Sequence, residues 1–185
     1  MPDRRPENLR VAEQIAATLG ESGFPVVVIG AVALAAHRYP RFTEDIDLGM
    51  LASQAQMEEL AASLRAEGFD VELHPPDGQD PLGGVIDVSG AFGLVQIINF
   101  EDRFPAVIRD ALAGEDLRVC SDSALRIVPI PQLVALKLYA GGGKSHSDIV
   151  ELLRRNPDAD LDAIRKTCEN YRLTGFHRIL EELSS

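Results

Sequence analysis

The sequence predicts an α+β fold: a small mixed β-sheet flanked by helices over residues 1–128, followed by a helical part over residues 129–185 that packs on one side of a cleft. Three observations carry this. Apolar runs of strand length alternate with helix-periodic segments through the first two thirds of the chain. From Pro131 onward only the helical period remains. The 185 residues, 45% apolar and 25% charged, suit one ordinary globular unit with a sizeable core.

The elements follow in order. Asn8–Leu19 carries apolar residues on one helical stripe and is closed by Gly20 and Gly23. Phe24–Ile29 is a β-branched strand, and Gly30 hands it over to a helix that ends before Pro40. Glu44–Met50, EDIDLGM, alternates acidic and apolar residues, so a strand places Asp45 and Asp47 on one face and Ile46 and Leu48 on the other. Ser53 is an N-cap for a helix to Glu67, and Gly68 stops it. Phe69–His74 is a strand, PPDGQDPLGG a turn-rich loop, and Gly84–Ser89 with Gly93–Phe100 a hairpin around Gly90–Gly93. A helix over Phe104–Leu112 precedes two short strands, Leu117–Cys120 and Leu125–Val128. Four helices complete the chain: Pro131–Tyr139, Ser147–Arg155, Leu161–Glu169 and about Thr174 to Leu183.

Composition removes several function classes. Eighteen basic against 29 acidic residues give a net charge of −11, which opposes tight non-specific binding of phosphate polymers. Residues 1–136 hold 10 basic and 21 acidic residues and 137–185 hold 8 of each, so a polyanion such as a tRNA should meet the C-terminal part or the Arg4, Arg5 and Arg10 arm. Aromatic residues are only 5% with no Trp, too few for rows of base-stacking platforms. Cys120 and Cys168 fit no metal or redox spacing and read as reduced buried thiols. The longest apolar run, Phe24–Ala36, contains Pro25 and Gly30 and is short of the ~20 residues that span a bilayer. No apolar segment follows the charged N-terminus, so no membrane partner and a cytoplasmic location are expected.

The most informative span is VIGAVALAAHRYPRFTEDIDLGM. Two carboxylates two residues apart on a strand lie ~6.5–7 Å apart at Cα, a spacing that lets them share divalent ions held ~3.5–4 Å apart. Mg²⁺, hard and oxygen-ligated, is the expected ion. Gly30, at a strand-to-helix junction, would offer amides to a phosphate approaching from the Asp45–Asp47 strand. Carboxylates for a cation beside amides for an anion are what a Mg-nucleotide requires.

GAVALAAHRYPRFTEDIDL resembles the nucleotidyltransferase-fold proteins of the abortive-infection toxin type, the AbiEii-like or type IV toxin family of the minimal nucleotidyltransferase superfamily. LVALKLYAGGGKSHSDIVELL resembles that family's Leu-x-Ala-x-Lys-Leu segment followed by an Asp at the start of a helix. The resemblance implies Gly30 and Ala31 at the phosphate turn, Asp45 and Asp47 as metal ligands, and Lys137 and Asp148 as site residues from the C-terminal helices. It also implies transfer of an NMP from a nucleoside triphosphate to a hydroxyl on a tRNA end or a protein side chain, and the toxin half of a toxin–antitoxin pair with an antitoxin protein as partner.

Three departures qualify the resemblance. Ala31 stands where the family's turn usually has a second Gly or a Ser, and Lys144-Ser145 where it often has Lys-Asp. The superfamily places a third carboxylate on a later strand, and LVQIINF presents Gln96 there. Glutamine is a poor Mg²⁺ ligand and cannot act as a base. If Ala91 and Phe92 form a two-residue turn, Asp87 lies directly opposite Gln96 with its side chain on the same face. Asp87 is then either the third carboxylate or a solvated strand residue.

Each remaining polar residue admits two readings. His37 either orients a carboxylate or is structural, the second being the commoner role of a lone helical histidine. Arg41 would neutralise a phosphate. Thr43 would join it there or simply form a turn hydrogen bond. Lys137, in the apolar VALKLYA helix, either snorkels to solvent or reaches a phosphate or site carboxylate. GGGKS is not a phosphate loop of the Walker type, because Leu138 stands where its first Gly belongs and a helix precedes it. The expected activity is Mg²⁺-dependent nucleotidyl transfer. The alternative is a catalytically degenerate nucleotide sensor or partner-binding protein, with Gln96 as its mark.

Overall fold

A computed structural model describes residues 6–41, 43, 45–76 and 83–184. Arg4 and Arg5, Glu44 and most of the PPDGQDPLGG turn lie outside the described residues. A six-stranded mixed sheet is the centre of the molecule, in the order β3-β4-β5-β2-β1-β6. β1 is Val27–Ile29, β2 Asp45–Met50, β3 Asp70–His74, β4 Val85–Gly90, β5 Gly93–Asn99 and β6 Arg126–Ile127. β1–β2, β3–β4 and β4–β5 are antiparallel; β2–β5 and β1–β6 are parallel.

Alternation along the strands divides the sheet into two faces. Ile46, Leu48 and Met50 of β2, Ile86 and Val88 of β4, and Val95 and Ile97 of β5 point one way and are fully buried. The helices α1 (Glu7–Glu21) and α3 (Gln54–Ala66) cover this face, α1 against β2 and β5 and α3 against β3. Their inward stripes are Ala12, Ile15, Ala16 and Leu19, and Met57, Leu60, Ala61 and Leu64. Ser53 caps α3 as expected and forms a reciprocal capping box with Gln56, which satisfies two otherwise orphaned amides. Asn99, 1% exposed at the end of β5, is a polar staple: its side chain accepts from Ala52 N and Glu101 N and donates to the carbonyls of Ala52 and Gly83.

The other face carries α2 (Gly30–Ala36), α4 (Pro105–Ala113) and α5 (Ile130–Ala140) over its β1–β2 half. Gly49 on this face lets α4 approach closely: a Cβ there would lie 2.7 Å from the Ile108 side chain, which would have to shift. α6 (Gly142–Arg155), α7 (Leu161–Asn170) and α8 (Phe176–Leu183) pack behind α5. Among the described residues no helix is long and apolar enough to cross a membrane.

Three expected elements take a different form. Leu117–Cys120 is not a strand; its pairing is one isolated bridge, Arg118 to Arg126, and the next strand shortens to Arg126–Ile127. α6 begins at Gly142 rather than Ser147, so its first turn uses two glycines that propensity disfavours by ~1 kcal/mol each. Packing of its buried stripe, Ile149, Val150, Leu152 and Leu153, sets that start instead. The helix after Gly30 ends at Ala36, because the chain turns at Arg38, whose φ is +65°. Cys168 is buried, which pushes its thiol up to about 11, while Cys120 is only half-buried.

Candidate active site

The candidate side chains lie on the second face. One register row crosses five strands: Ile29 of β1, Asp47 of β2, Gln96 of β5, Asp87 of β4 and Glu72 of β3. Asp45 lies two residues back on β2, on the same face as Asp47 and more exposed. The hairpin register is the expected one, with Gly90 opposite Gly93 and Asp87 opposite Gln96. Gln96 Nε2 donates to Asp87 Oδ1 at 2.8 Å. His74 Nε2 lies 3.2 Å from Asp87 Oδ2 and 3.8 Å from Glu72. Burial pushes the Asp47 carboxyl up from its usual range and the neighbouring Asp45 charge adds to this, while Lys137 and Lys144 pull it back.

Gly30 is positioned by β1 and opens α2 with φ +66°, the left-handed region that favours glycine. A Cβ on it would stand 1.8 Å from Asp47 Oδ2. The carboxylate of Asp47 occupies the space a side chain at position 30 would need. Ala31 follows in the first turn of α2, half-buried, so the turn and the Asp47 carboxylate are immediate neighbours.

Three distant segments meet at Asp148. Arg41, from the loop before β2, donates through Nη1 to both of its oxygens at 2.7 and 2.8 Å, and Lys137 Nζ of α5 donates to Oδ2 at 2.7 Å. The Asp148 side chain is 3% exposed, against 26% for Arg41 and 17% for Lys137. Asp148 therefore fixes both cations in place. Lys137 does not snorkel: its ammonium is paired with Asp148 and its charge reaches Asp47. Thr43 makes a turn: its Oγ1 accepts from Asp45 N and donates to Asp45 O, which sets the entry into β2. His37 is held on both sides: its Nε2 lies 2.7 Å from the Val128 carbonyl, and Asn156 Nδ2 donates to the His37 backbone carbonyl. Burial holds the His37 imidazole below its ordinary pKa, and the Val128 carbonyl accepts from its Nε2.

Two residues of the site escape the sequence reading. His74 has no motif; only the β3–β4 register, which the 75–84 loop hides, places it beside Asp87. Lys144 registers as a departure from a family pattern, yet its charge reaches Asp47. Among the described residues no cluster of three or more His, Cys, Asp or Glu side chains forms a complete metal cage. Asp45 and Asp47 fit a hard divalent ion that takes the rest of its oxygen ligands from water and phosphate, as Mg²⁺ commonly does. A cavity of about 180 Å³ adjoins the row at Ile29 and is lined also by Gly30 and Lys137. A larger one, about 440 Å³, lies between the end of α2 and the start of α5 and includes no residue of the acidic row.

No protein-family model matches the sequence, and no curated protein matches it. Solved structures do. The antibiotic-resistance factor ANT(2'')-Ia, in complex with adenylyl-2''-tobramycin, superposes with TM-score 0.60 at 15% identity over 89% of this chain and 96% of that one. An antigenic nucleotidyltransferase-like protein from Paracoccidioides brasiliensis gives 0.54 at 16% identity over 89% and 86%. A putative nucleotidyltransferase from H. pylori gives 0.51 at 16% identity over 92% and 77%. With a six-stranded mixed sheet flanked by helices and these structural neighbours, the chain has the nucleotidyltransferase fold.

Proposed function

We propose that this protein transfers a nucleotide from a nucleoside triphosphate to an acceptor hydroxyl, with Mg²⁺ held by Asp45 and Asp47. The observation that carries the reading is the Gly30–Asp47 contact: a strand aspartate, raised in pKa by burial and by Asp45, packs its Oδ2 against the glycine of the strand-to-helix turn, in the space a side chain there would fill. The bound ion would neutralise triphosphate charge and polarise the α-phosphate.

The chain's own groups do the rest. The Gly30–Ala31 turn receives phosphate oxygens, and Thr43 fixes the approach of β2 to them. Lys137 and Arg41, held in place by Asp148, offset the charge that develops as pyrophosphate leaves. The acceptor oxygen forms a bond to the α-phosphorus, the bond to pyrophosphate breaks, and the hydroxyl proton passes to Asp87. Gln96 holds Asp87 Oδ1 and His74 lies beside Oδ2, so the carboxylate is oriented from both sides.

The resemblance to AbiEii-like toxins supports a tRNA end or a protein side chain as acceptor, a toxin role, and an antitoxin protein as partner. ANT(2'')-Ia, whose complex contains an adenylylated tobramycin, adds a small polyhydroxylated acceptor to that range. A second reading has its own observation. Gln96, neutral, stands in the row between Asp47 and Asp87, as in a fold that has kept nucleotide binding and lost transfer.

Transfer of label from α-³²P-NTPs to total tRNA, to protein and to tobramycin tests both. Active wild type, with loss in Asp87→Asn and in Asp45→Asn/Asp47→Asn, supports the enzyme with Asp87 as base. Inactive wild type that gains activity on Gln96→Asp supports the degenerate reading.

A further inference from the structure

We propose that the cavity beneath α5 seats the nucleobase of the donor, and that it selects the base by shape and apolar contact more than by hydrogen bonding. This rests on the nucleotide reading of the carboxylate site and adds where the rest of the nucleotide goes.

The cavity lies on the same sheet face as Asp47. Its floor is Ile29 of β1 and Ile98 of β5, neighbours of Asp47 and Gln96 on that face, and its opposite wall is Leu133, Leu136 and Tyr139 of α5. Gly30 and Lys137 line it as well, and both belong to the carboxylate site: Gly30 abuts Asp47, and Lys137 is paired to Asp148. A ligand filling both compartments therefore has a polyanionic end at Lys137 and the metal-binding aspartates, and an apolar end a short spacer away. A nucleoside triphosphate has that layout.

Size narrows the occupant further. At about 180 Å³ the cavity is smaller than the ~300–1,000 Å³ of pockets that enclose whole ligands. It has room for one flat part of a nucleotide, leaving sugar and phosphates over the aspartates.

The lining is chiefly aliphatic, with Phe100 beside the floor and Ser145, in the first turn of α6, contributing an aliphatic hydroxyl. Walls of this kind separate ligands by size, by roughly 10–200-fold, and distinguish isosteric polar edges poorly. Ser145 is accordingly the side chain on which any preference between bases of equal size depends.

The test is isothermal titration with ATP, GTP, CTP, UTP and inorganic tripolyphosphate, all with Mg²⁺, on wild type and Ala140→Phe. Ala140 is exposed at the last position of α5 and lines the cavity, so phenylalanine there fills the cavity without entering the core. Ser145→Phe fills it from α6 and stands in if Ala140→Phe does not fold. The expected result is a best NTP that binds wild type at least about tenfold more tightly than tripolyphosphate, an advantage the filled variants lose while their tripolyphosphate affinity is unchanged. NTP affinity untouched by filling, or equal NTP and tripolyphosphate affinity in wild type, overturns the proposal and leaves the carboxylate site standing. Binding of neither ligand by wild type overturns the nucleotide reading itself, and this proposal with it.

Discussion

The two faces of the sheet are built from alternate residues of the same strands, yet they are chemically unlike. On β2, Ile46, Leu48 and Met50 are at most 1% exposed under α1 and α3, whereas Asp45 and Asp47 between them face the cleft. On β5, Val95 and Ile97 are buried and Gln96 faces Asp87. The packed face is apolar along every strand and gains its stability from burial. The other gathers like charges, a positive-φ glycine and a buried charge cluster, each costly by itself. Features that oppose folding are concentrated on one face while the other compensates for them, which is the expected distribution when the first is kept for chemistry.

Substitutions on the two faces should therefore differ in size and finally in sign. Leu48→Ala removes a fully buried side chain from the packed face and should cost ~2–5 kcal/mol, read as a fall in denaturation midpoint at unchanged m-value. Asp148→Ala leaves Arg41 and Lys137 without their shared anion. At their low exposure a loss of ~3 kcal/mol is expected, or a Tm lower by about 6–12 °C. Asp148→Ala that melts with wild type would mean the two cations are already solvated. Gly30→Ala places a methyl into Asp47 Oδ2 at a positive φ; the backbone strain alone is worth ~1–3 kcal/mol, and nucleotide binding should be lost beyond what stability explains.

Asp47→Asn is the smallest effect and the one of opposite sign. Burial and Asp45 raise the Asp47 pKa, so the native state binds that proton more tightly than the unfolded chain does. Its ionised form costs stability at neutral pH, and the cost disappears as pH falls through the native pKa toward the unfolded one. The asparagine variant should melt above wild type at about pH 7, with the gap closing toward about pH 4. A variant that melts below wild type at neutral pH would place Asp47 among the stabilising residues of the packed kind.

Much of this division was legible in the sequence. The alternation EDIDLGM assigned the two faces of β2, and the two-residue turn at Ala91-Phe92 fixed the Asp87–Gln96 pairing, since both depend on local period and turn length. What was not legible depends on contacts far apart in the chain. The meeting of Arg41, Lys137 and Asp148 joins a loop to two helices about a hundred residues on, and no spacing encodes it. His74 reaches Asp87 only through the β3–β4 register. The early start of α6 goes against the propensity of Gly142 and Gly143 and comes from tertiary packing. Leu117–Cys120 has a strand's composition but makes one bridge, because Arg126–Ile127 is engaged on β1 and too short to pair at length on its other side.

The most direct test of the central claim, that Asp45 and Asp47 hold a Mg-nucleotide, is thermal unfolding with each of the four NTPs, with and without Mg²⁺. A ligand at 100 times its Kd adds ~2.7 kcal/mol, about 5–10 °C for a chain of this size. The claim predicts a Mg²⁺-dependent rise of that order in wild type and none in Asp45→Asn/Asp47→Asn. No rise with any NTP, or an equal rise in the double variant, would contradict it.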